Sequence, residues 1–494
     1  MQATQATQTL DFDDIQGIVL YGYGRLPFVR YVFLSIEDAD RARAWLELAA
    51  GEVTSARTVK SPGAATTLHL AFTVDGLRAL GFAEDELTTF PTAFTQGMTA
   101  PYRSRLLGDY AANDPDNWQF GGPKTPTIHA LLILYAHTEE AVEALTTSQT
   151  QRLEGVGGIS VIRVEGGYLK DDRKEHFGFK DGISQPKIQG SGRTESDGEA
   201  PIKTGEFLLG YENEYGELPS SPTVPNALDS NGDLHGDPSD SGRRDLGRNG
   251  TYLVYRKLSQ DVEGFWKFAD EHSKKEDGQS DPEAAKHLGA RIVGRWPGGA
   301  PLVLSPSWDN PKFSDANVFN YTHMDPKSHA CPAGSHIRRA NPRDALPPDS
   351  EESLRETRRH RLMRRGRIYG PSLADGEPQG GEVADRGFQF IVINADLHRQ
   401  FEFVQQTWIN SPKFDGLYRD PDPLTGVHPH NGGRCLTIQG EPVRRQIARM
   451  PSFVTVKGGA YFFLPSLRGI RFLAQGGYAK PLRPIDASSI PGRE

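Results

Sequence analysis

Tyr31–Ile36 (YVFLSI), followed by Asp38 and then by Ala42–Ala49 (ARAWLELA), predicts a strand, a polar cap and an amphipathic helix. β-branched and aromatic residues fill the strand, and the apolar residues of the helix recur at the i, i+3 and i+4 spacing that places them on one face. An aspartate before a helix can accept hydrogen bonds from its first backbone N–H groups. The same order returns at Thr251–Leu258 (TYLVYRKL) and Asp261–His272 (DVEGFWKFADEH). The chain therefore predicts one supersecondary unit that is used twice.

A second pair of segments extends this pattern. Thr67–Thr73 (TLHLAFT) leads into a short helix, VDGLRALG, and Phe388–Asn394 (FQFIVIN) leads into a longer one at Ala395–Ile409. We interpret these two strand–helix pairs as equivalent parts of the repeat. The order strand–helix–strand–strand–helix–strand predicts an α+β fold with two sandwiches, each an antiparallel sheet covered on one face by helices.

The length of 494 residues predicts two or three domains. The segment 189–249 is rich in Gly, Ser, Pro, Asp and Asn, which is typical of a surface connection, with a little β structure expected at Phe207–Tyr211. We place the boundary there, with an N-terminal domain at 1–188 and a C-terminal domain at 250–494. A second irregular stretch is predicted at Pro371–Asp385.

Charge and hydropathy exclude several classes of protein. The formal net charge is −8, whereas a nucleic-acid-binding domain is normally basic. The apolar run around Ala130–Ala136 is far shorter than the roughly 20 residues that span a bilayer. We expect neither a nucleic-acid partner nor a membrane segment.

The N-terminal sequence and the cysteine content indicate in which cellular compartment the protein is expected. MQATQATQTLDFDD has neither a basic region nor an apolar one, so no secretory signal is visible. Cys331 and Cys435 are the two cysteines of the sequence, which excludes a disulfide scaffold and suits a reducing environment. We therefore expect a cytoplasmic protein.

The first segment that could carry chemistry is EHFGFKDGISQP, residues 175–186. Gly178 and Gly182 bracket Asp181 and allow a tight backbone path around its carboxylate. The flanking Phe177, Phe179 and Ile183 are apolar. An aspartate in a turn is most often structural, but a carboxylate beside apolar surface is also what a general base requires. Both interpretations remain open on these residues alone.

The second segment is CPAGSHIRRANPR, residues 331–343. His336 is followed within seven residues by three arginines, Arg338, Arg339 and Arg343. A neutral imidazole is a good haem-iron ligand, and haem propionates need cations nearby, but a histidine in a basic surface segment is the simpler alternative. Cys331 does not form a CxxCH motif with His336, so covalent haem attachment is not supported, and a small buried thiol is expected.

The third segment is HRLMRRGRIYGP, residues 360–371. Arg364 follows the apolar pair Leu362–Met363 and precedes a glycine and the β-like Ile368–Tyr369. This order favours one arginine that points inward from the start of a strand. For the other arginines of Arg355–Arg367 we predict a solvated surface.

Taken together, these segments resemble the dye-decolorizing peroxidase family, and in particular its larger, elaborated subgroup. The GxxDG motif matches at Gly178–Gly182, the histidine motif at His336–Arg343 and the arginine motif at Leu362–Gly366. Residues 14–24 and 386–410 are also similar, so the likeness extends from about residue 12 to about residue 475. A lone GxxDG is weak evidence, whereas three motifs in this order are strong evidence.

The resemblance implies two ferredoxin-like domains, with haem held mainly by the C-terminal one. It makes His336 the axial iron ligand, places Asp181 and Arg364 over the opposite face of the haem, and assigns Arg343 to a propionate. Phe390 and Phe179 would line the pocket. The family also places a carboxylate on the second nitrogen of the axial histidine, and here Asp422 and Asp420 are the two candidates.

The activity that the resemblance implies is a haem peroxidase with one haem b per chain. Such an enzyme reduces hydrogen peroxide through a ferryl intermediate and oxidises dyes, phenolics or other one-electron donors. Trp408, Tyr369 and Tyr461 are candidates for an electron relay, and a homo-oligomer is compatible with the sequence. Gly366 stands where the compact bacterial subgroup has asparagine, and the 189–249 connection and the Asn341–Arg359 spacer are longer. These departures concern distal hydrogen bonding and substrate access.

Two other functions compete with the peroxidase. A haem- or iron-handling protein would keep the haem site and show only incidental peroxidase activity. A regulatory or structural α+β protein without haem is the third. Rapid reaction with stoichiometric peroxide would distinguish the peroxidase from the haem-handling protein. A Soret band would exclude the protein without haem.

Overall fold

The computed structural model describes residues 9–58, 65–192, 199–239, 241–372, 384–427 and 434–476. Its strands are β1 (Phe28–Ile36), β2 (Thr66–Phe72), β3 (Ala130–Ala136), β4 (Ile159–Gly167), β5 (Thr223–Pro225), β6 (His235–Gly236), β7 (Arg243–Asp245), β8 (Thr251–Gln260), β9 (Met363–Arg364), β10 (Arg367–Tyr369), β11 (Gly387–Asn394), β12 (Arg434–Ile438), β13 (Arg445–Met450) and β14 (Val454–Leu464).

The helices are α1 (Gly17–Leu20), α2 (Ala39–Ala50), α3 (Val74–Ala79), α4 (Glu84–Leu87), α5 (Thr92–Gln96), α6 (Pro101–Leu107), α7 (Glu139–Val156), α8 (Val262–Glu271), α9 (Pro282–Val293), α10 (Tyr321–Met324), α11 (His336–Ala340), α12 (Ser350–Arg359) and α13 (Leu467–Gln475). After β11 the chain forms two consecutive π-helical segments, Leu397–Glu402 and Val404–Ile409. No helix among the described residues is long and apolar enough to cross a membrane.

The main sheet contains two ferredoxin-like units. Its strands follow one another in the order β10-β11-β8-β14-β2-β3-β1-β4, with β9 also paired to β11, and the pairs are antiparallel. β4-β1-β3-β2 is the strand order of a βαββαβ unit in which α2 and α7 are the crossover helices, and β14-β8-β11-β10 repeats it. The predicted α+β fold with two ferredoxin-like units is therefore confirmed.

The caps of the first helix in each unit also match the prediction. Asp38 accepts hydrogen bonds from the backbone N–H groups of Asp40 and Arg41 at the start of α2. Asp261 does the same for Gly264 at the start of α8. These caps supply acceptors for N–H groups that have no partner inside the helix.

The predicted equivalence of the second pair of segments is wrong. β11 lies beside β8 in the way that β3 lies beside β1, so the counterpart of β11 is β3 and not β2. The counterpart of the helix after β11 is accordingly α7. A strand followed by a helix looks the same at either position of the unit, and only the pairing of the strands distinguishes them.

The sheet closes into a barrel. β14 meets β2 at Phe463 and Phe72, and at the other end Tyr168 and Ile368 exchange backbone hydrogen bonds of 2.8 and 3.2 Å. Alternate residues of β1 therefore face two different cores. Val29, Tyr31 and Phe33 point into the barrel, whereas Val32 and Leu34 pack outward with helical residues such as Trp45.

The connection 189–249 contains the small sheet β5-β7-β6. The β structure expected at Phe207–Tyr211 is absent, because this segment forms turns. The Leu208 N–H donates to the Thr204 carbonyl, and Gly210 has a φ of +83°. The apolar residues that gave a strand-like pattern are instead buried in these turns. Of the irregular stretch Pro371–Asp385, residues 373–383 lie outside the described part, and the division into 1–188, 189–249 and 250–494 stays a prediction.

Candidate active site

Beside the barrel, a cavity of about 330 Å³ lies between the 175–186 loop, β8, β9, α11 and the π-helical segments. Every residue predicted for catalysis or haem contact lines it: Asp181, Arg364, His336, Arg343, Phe179 and Phe390. The cavity thus collects side chains from both halves of the chain. Asp422 contacts His336 from behind the cavity wall.

His336 is the first residue of α11, and its ring is fixed by Asp422. Nδ1 of His336 lies 2.9 Å from Oδ2 of Asp422, whose other oxygen accepts the N–H groups of Leu424 and Thr425 at 2.9 and 2.8 Å. Burial opposes ionisation of Asp422, but His336 and Arg339 lower its pKa to about 2. The carboxylate therefore fixes the proton on Nδ1 and leaves Nε2 available to a metal.

The two candidate carboxylates behind His336 are now distinguished. Asp422 is completely buried and bonds to the imidazole, whereas Oδ2 of Asp420 accepts the Thr437 N–H at 2.8 Å. Asp420 does not contact His336. It joins the 412–426 loop to β12 instead.

Asp181 lies in the predicted glycine-bracketed turn. Gly178 and Gly182 have φ values of +93° and +80°, which favour glycine. The Asp181 N–H donates to the Arg173 carbonyl at 2.9 Å, and the Lys180 N–H donates to Pro297 at 3.1 Å. Backbone hydrogen bonds from Asp181 and from the residue before it thus hold the carboxylate at the cavity wall.

Arg364 reaches the same side of the cavity from β9. Its backbone N–H donates to the Gln185 side chain, and its Nη1 donates to the Ser184 carbonyl, both at 3.1 Å. Nη2 lies 3.5 Å from Oδ1 of Asp181. Arg364 points inward as predicted, but it is the last residue of the two-residue strand β9 and not the start of a strand.

The solvated surface predicted for the neighbouring arginines is wrong for Arg365 and Arg367. Both are buried, and they donate to backbone carbonyls near the N-terminus, including those of Ile18, Val19 and Gly22. These carbonyls lie at or just beyond the end of α1, where helical partners are missing. Charged donors satisfy them, so these arginines serve the fold.

Arg343 lines the cavity and is held by its own neighbours. It has a φ of +56°, and it donates to the Asn317 carbonyl at 2.9 Å, to the Asn317 side chain at 2.8 Å and to Phe319. Its guanidinium also lies 4.0 Å from the Phe319 ring centroid. These contacts orient the cation at the wall.

Sequence reasoning missed two further charged groups in the cavity. Arg361 pairs with Glu199 at 2.5 Å, and its Nη2 is buried with no hydrogen-bond partner among the described residues. Glu175 lines the cavity on the Asp181 side. Arg361 is one of many arginines in its segment, and Glu175 precedes the GxxDG motif, so neither carried a distinguishing signal.

Gly366 does not alter the distal side of the cavity. A Cβ there would lie 2.4 Å from the Gln389 carbonyl oxygen, so the close approach of β11 requires glycine. The residue is absent from the cavity wall.

The three candidates for an electron relay are all buried. Trp408 packs on Phe403, Tyr461 donates a hydrogen bond to Glu402, and Tyr369 donates one to Asp385.

The buried thiol predicted for Cys331 is confirmed. Cys331 is completely buried and free, and burial raises its pKa to about 11. A thiol with such a pKa is a poor thiolate ligand at neutral pH.

The donor set of the cavity fits a haem. One imidazole presents Nε2 with an ionised carboxylate behind it, and phenylalanines line the walls. Arg343 and the unsatisfied Nη2 of Arg361 supply the cations that two propionates need.

Comparison with known proteins agrees with this geometry. The family model described as "DyP dimeric alpha+beta barrel domain" matches residues 14–166. The chain is 31% identical to a dye-decolorizing peroxidase of Mycena epipterygia in an alignment of 503 positions that covers 94% of this chain and 87% of that protein. The chain belongs to the dye-decolorizing peroxidase family. It is also 30% identical to the multifunctional dye peroxidase DyP2 of an Amycolatopsis strain, over 93% of this chain and 95% of that one.

Solved structures support the same assignment. The DyP-type peroxidase of Auricularia auricula-judae superposes with a TM-score of 0.76 at 26% identity, covering 94% of this chain and all of that one. An ancestral D-type dye-decolorizing peroxidase gives 0.75 at 27% identity, over 94% and 99% of the two chains. The protein is therefore a haem peroxidase that oxidises dyes and phenolics with hydrogen peroxide.

Proposed function

We propose that this dye-decolorizing peroxidase would bind one haem b per chain through Nε2 of His336, and that Asp181 and Arg364 would act on the peroxide in the same cavity. The observation that carries the proposal is that an imidazole backed by a carboxylate shares one cavity with an Asp–Arg pair. The haem, when bound, would supply the redox chemistry, which is the two-electron reduction of peroxide and the later uptake of one electron from each of two donor molecules.

Asp181 would move the proton. Peroxide must lose a proton from the oxygen that stays and gain one on the oxygen that leaves as water. A carboxylate held at the cavity wall can accept the first proton and return it to the leaving oxygen. No net proton is consumed in this transfer, so Asp181 regains its charge for the next turnover.

Arg364 would stabilise negative charge during this transfer. Guanidinium stays protonated and so cannot act as the base. Its Nη1 is fixed by the Ser184 carbonyl, while Nη2 lies beside Asp181, so the cation needs little reorganisation. The apolar rings of Phe179 and Phe390 would limit water at the reacting oxygens.

Haem retention would depend on the arginines of the opposite wall. Arg343 and Arg361 are the cations that we assign to the propionates, and each is oriented by protein partners.

The electron donors would be phenols, since a related dye-decolorizing peroxidase was solved with 2,6-dimethoxyphenol. The free, buried cysteines support a reducing compartment such as the cytoplasm.

A haem titration tests the stoichiometry and the cofactor type directly. Protein loaded with haem should give one pyridine haemochrome of the b type per chain. One equivalent of peroxide should then shift the Soret band rapidly. A different haem type, or several haems per chain, would contradict the proposal.

A further inference from the structure

Glu175 opens the segment that carries Asp181, and its carboxylate closes the first turn of that segment. Oε1 accepts the Phe179 N–H and Oε2 accepts the Phe177 N–H, both at 2.9 Å. The backbone adds two bonds, from the Glu175 N–H to the Phe179 carbonyl at 3.0 Å and from the Gly178 N–H to the Glu175 carbonyl at 2.8 Å. The turn that ends two residues before Asp181 is thus built around one side chain.

The same carboxylate joins this turn to the barrel. Nε2 of Gln260, the last residue of β8, donates to Oε2 of Glu175 at 2.6 Å. On the other side of the turn, Nε1 of Trp266 donates to the Phe177 carbonyl at 3.1 Å. The turn is therefore held by β8 on one side and by α8 on the other. The rest of the loop continues from this turn to the cavity.

We propose that Glu175 is a positioning residue for Asp181: its carboxylate holds the turn against β8 and so sets the place of the Asp181 carboxylate at the cavity wall. The proposal rests on the role given above to Asp181. Three donors converge on two acceptor oxygens, and a carboxylate is the side-chain group that can accept at both. A carboxylic acid or an amide presents a hydrogen to one of these N–H groups instead.

The surroundings of Glu175 make its charge sensitive to pH. Burial raises its pKa to about 7, against the hydrogen bonds from Phe177, Gln260 and Phe179 and with a further contribution from the charge of Asp181. Protonation near neutrality would remove one acceptor from the turn. The rate of reaction with peroxide should therefore be higher on the alkaline side of this transition.

Other charged groups near Glu175 are already engaged. Arg256 on β8 pairs with Asp109, and Arg364 on β9 is directed to Ser184 and Asp181. Lys180 pairs with Asp315, and the neighbouring His176 bonds to the Tyr369 carbonyl. α8 faces the turn with the rings of Phe265 and Trp266, which carry no charge. Asp181 is thus the charged group through which the protonation of Glu175 is coupled to the reaction.

The test measures the single-turnover rate of the Soret change after mixing the haem-loaded protein with peroxide, between about pH 5 and pH 9. The unmodified protein should show an inflection near pH 7 with the faster plateau above it. Glu175→Gln, which imitates the protonated form, should stay at the slower plateau, about tenfold lower, with no inflection. A parental rate and an unchanged inflection in Glu175→Gln would overturn the proposal.

Gln260→Leu provides a second variant that keeps the carboxylate. Loss of a donor makes the ionised form less favourable, so the inflection should move to higher pH. If Glu175→Gln fails to fold or to bind haem, this shift decides the matter, and an unchanged inflection in Gln260→Leu overturns the proposal. A purely structural role would change thermal stability but would not move the inflection.

Asp229→Asn is the matched control. Asp229 also closes a turn with both oxygens, which accept the N–H groups of Asp233 and Leu234 at 2.9 and 3.1 Å, and it does not line the cavity. The pH profile of Asp229→Asn should equal that of the parent. An altered profile would overturn the proposal, because the effect would not be specific to the Asp181 turn.

Asp181→Asn separates the proton-transfer role of Asp181 from the positioning role of Glu175. If it reacts at the parental rate, the role of Asp181 fails, whereas a slow Asp181→Asn beside a normal Glu175→Gln contradicts the role of Glu175 alone.

Discussion

Oδ2 of Asp422 lies 2.9 Å from Nδ1 of His336, and it contacts this imidazole from behind the wall of the cavity that His336 lines together with Asp181 and Arg364. Two backbone N–H groups fix the other oxygen of Asp422. The imidazole consequently has one orientation and one tautomer. A ligand prepared in this way needs no rearrangement when it binds iron.

Asp422→Asn should weaken haem binding by about 10- to 100-fold and raise the iron(III)/iron(II) reduction potential, because a neutral partner makes the imidazole a poorer donor. Haem transfer to an acceptor protein and a redox titration measure the two effects. Asp420→Asn is the matched control, since Asp420 lies two residues away and bonds to Thr437. Equal behaviour of the two variants would contradict the role of Asp422.

His336→Ala should give a folded protein that retains little haem, whereas Arg343→Ala should lose haem less severely. A contact between Arg343 and a propionate is worth about 1.5–3 kcal/mol, which matters but does not hold the iron. Soret absorbance after gel filtration compares the variants, and Arg355→Ala, on an exposed side chain, should match the parent. Equal losses in the first two variants would mean that Arg343 does not act through a propionate.

The pH dependence of stability should reveal Glu175 independently of the reaction. Its pKa is raised to about 7 in the folded protein from a usual 4.5, so the folded state binds the proton more tightly than the unfolded state. As pH rises from 4.5 to 7 the parent should lose up to about 3 kcal/mol of stability, and no more above pH 7. Glu175→Gln should lack this loss. The thermal midpoint of unfolding of Glu175→Gln, relative to that of the parent, should therefore be about 3 °C higher at alkaline pH than at acidic pH. A difference that does not vary with pH would be contrary to a raised pKa.

The sequence could predict the motif residues because each motif lies in one short segment. Gly178 and Gly182 predict the turn around Asp181, and the apolar pair before Arg364 predicts that this arginine points inward, although Arg364 ends β9. The choice between Asp422 and Asp420 could not be made in this way. The two acids lie two residues apart in one loop, and only the path of that loop past His336 and Thr437 separates them.

Long-range partners explain the remaining errors. Arg365 and Arg367 have the same neighbours in sequence as exposed arginines, and their acceptors lie near the N-terminus, more than 300 residues away. The equivalence of β11 with β3 follows from which strands pair, since periodicity is the same in every strand. Glu175 shows no local signal for its role, because one of its donors, Gln260, comes from a strand of the other ferredoxin-like unit.

In the proposed reaction, Asp181 transfers the proton of peroxide at a haem held by His336. The most direct test is the single-turnover reaction of haem-loaded Asp181→Asn with one equivalent of peroxide, followed at the Soret band. Asparagine keeps the size of the side chain but cannot accept the proton, so the reaction should slow by roughly 10²- to 10⁴-fold while haem content is unchanged. Asp315→Asn, which alters an exposed partner of Lys180, should react like the parent. A parental rate in Asp181→Asn would contradict proton transfer by Asp181.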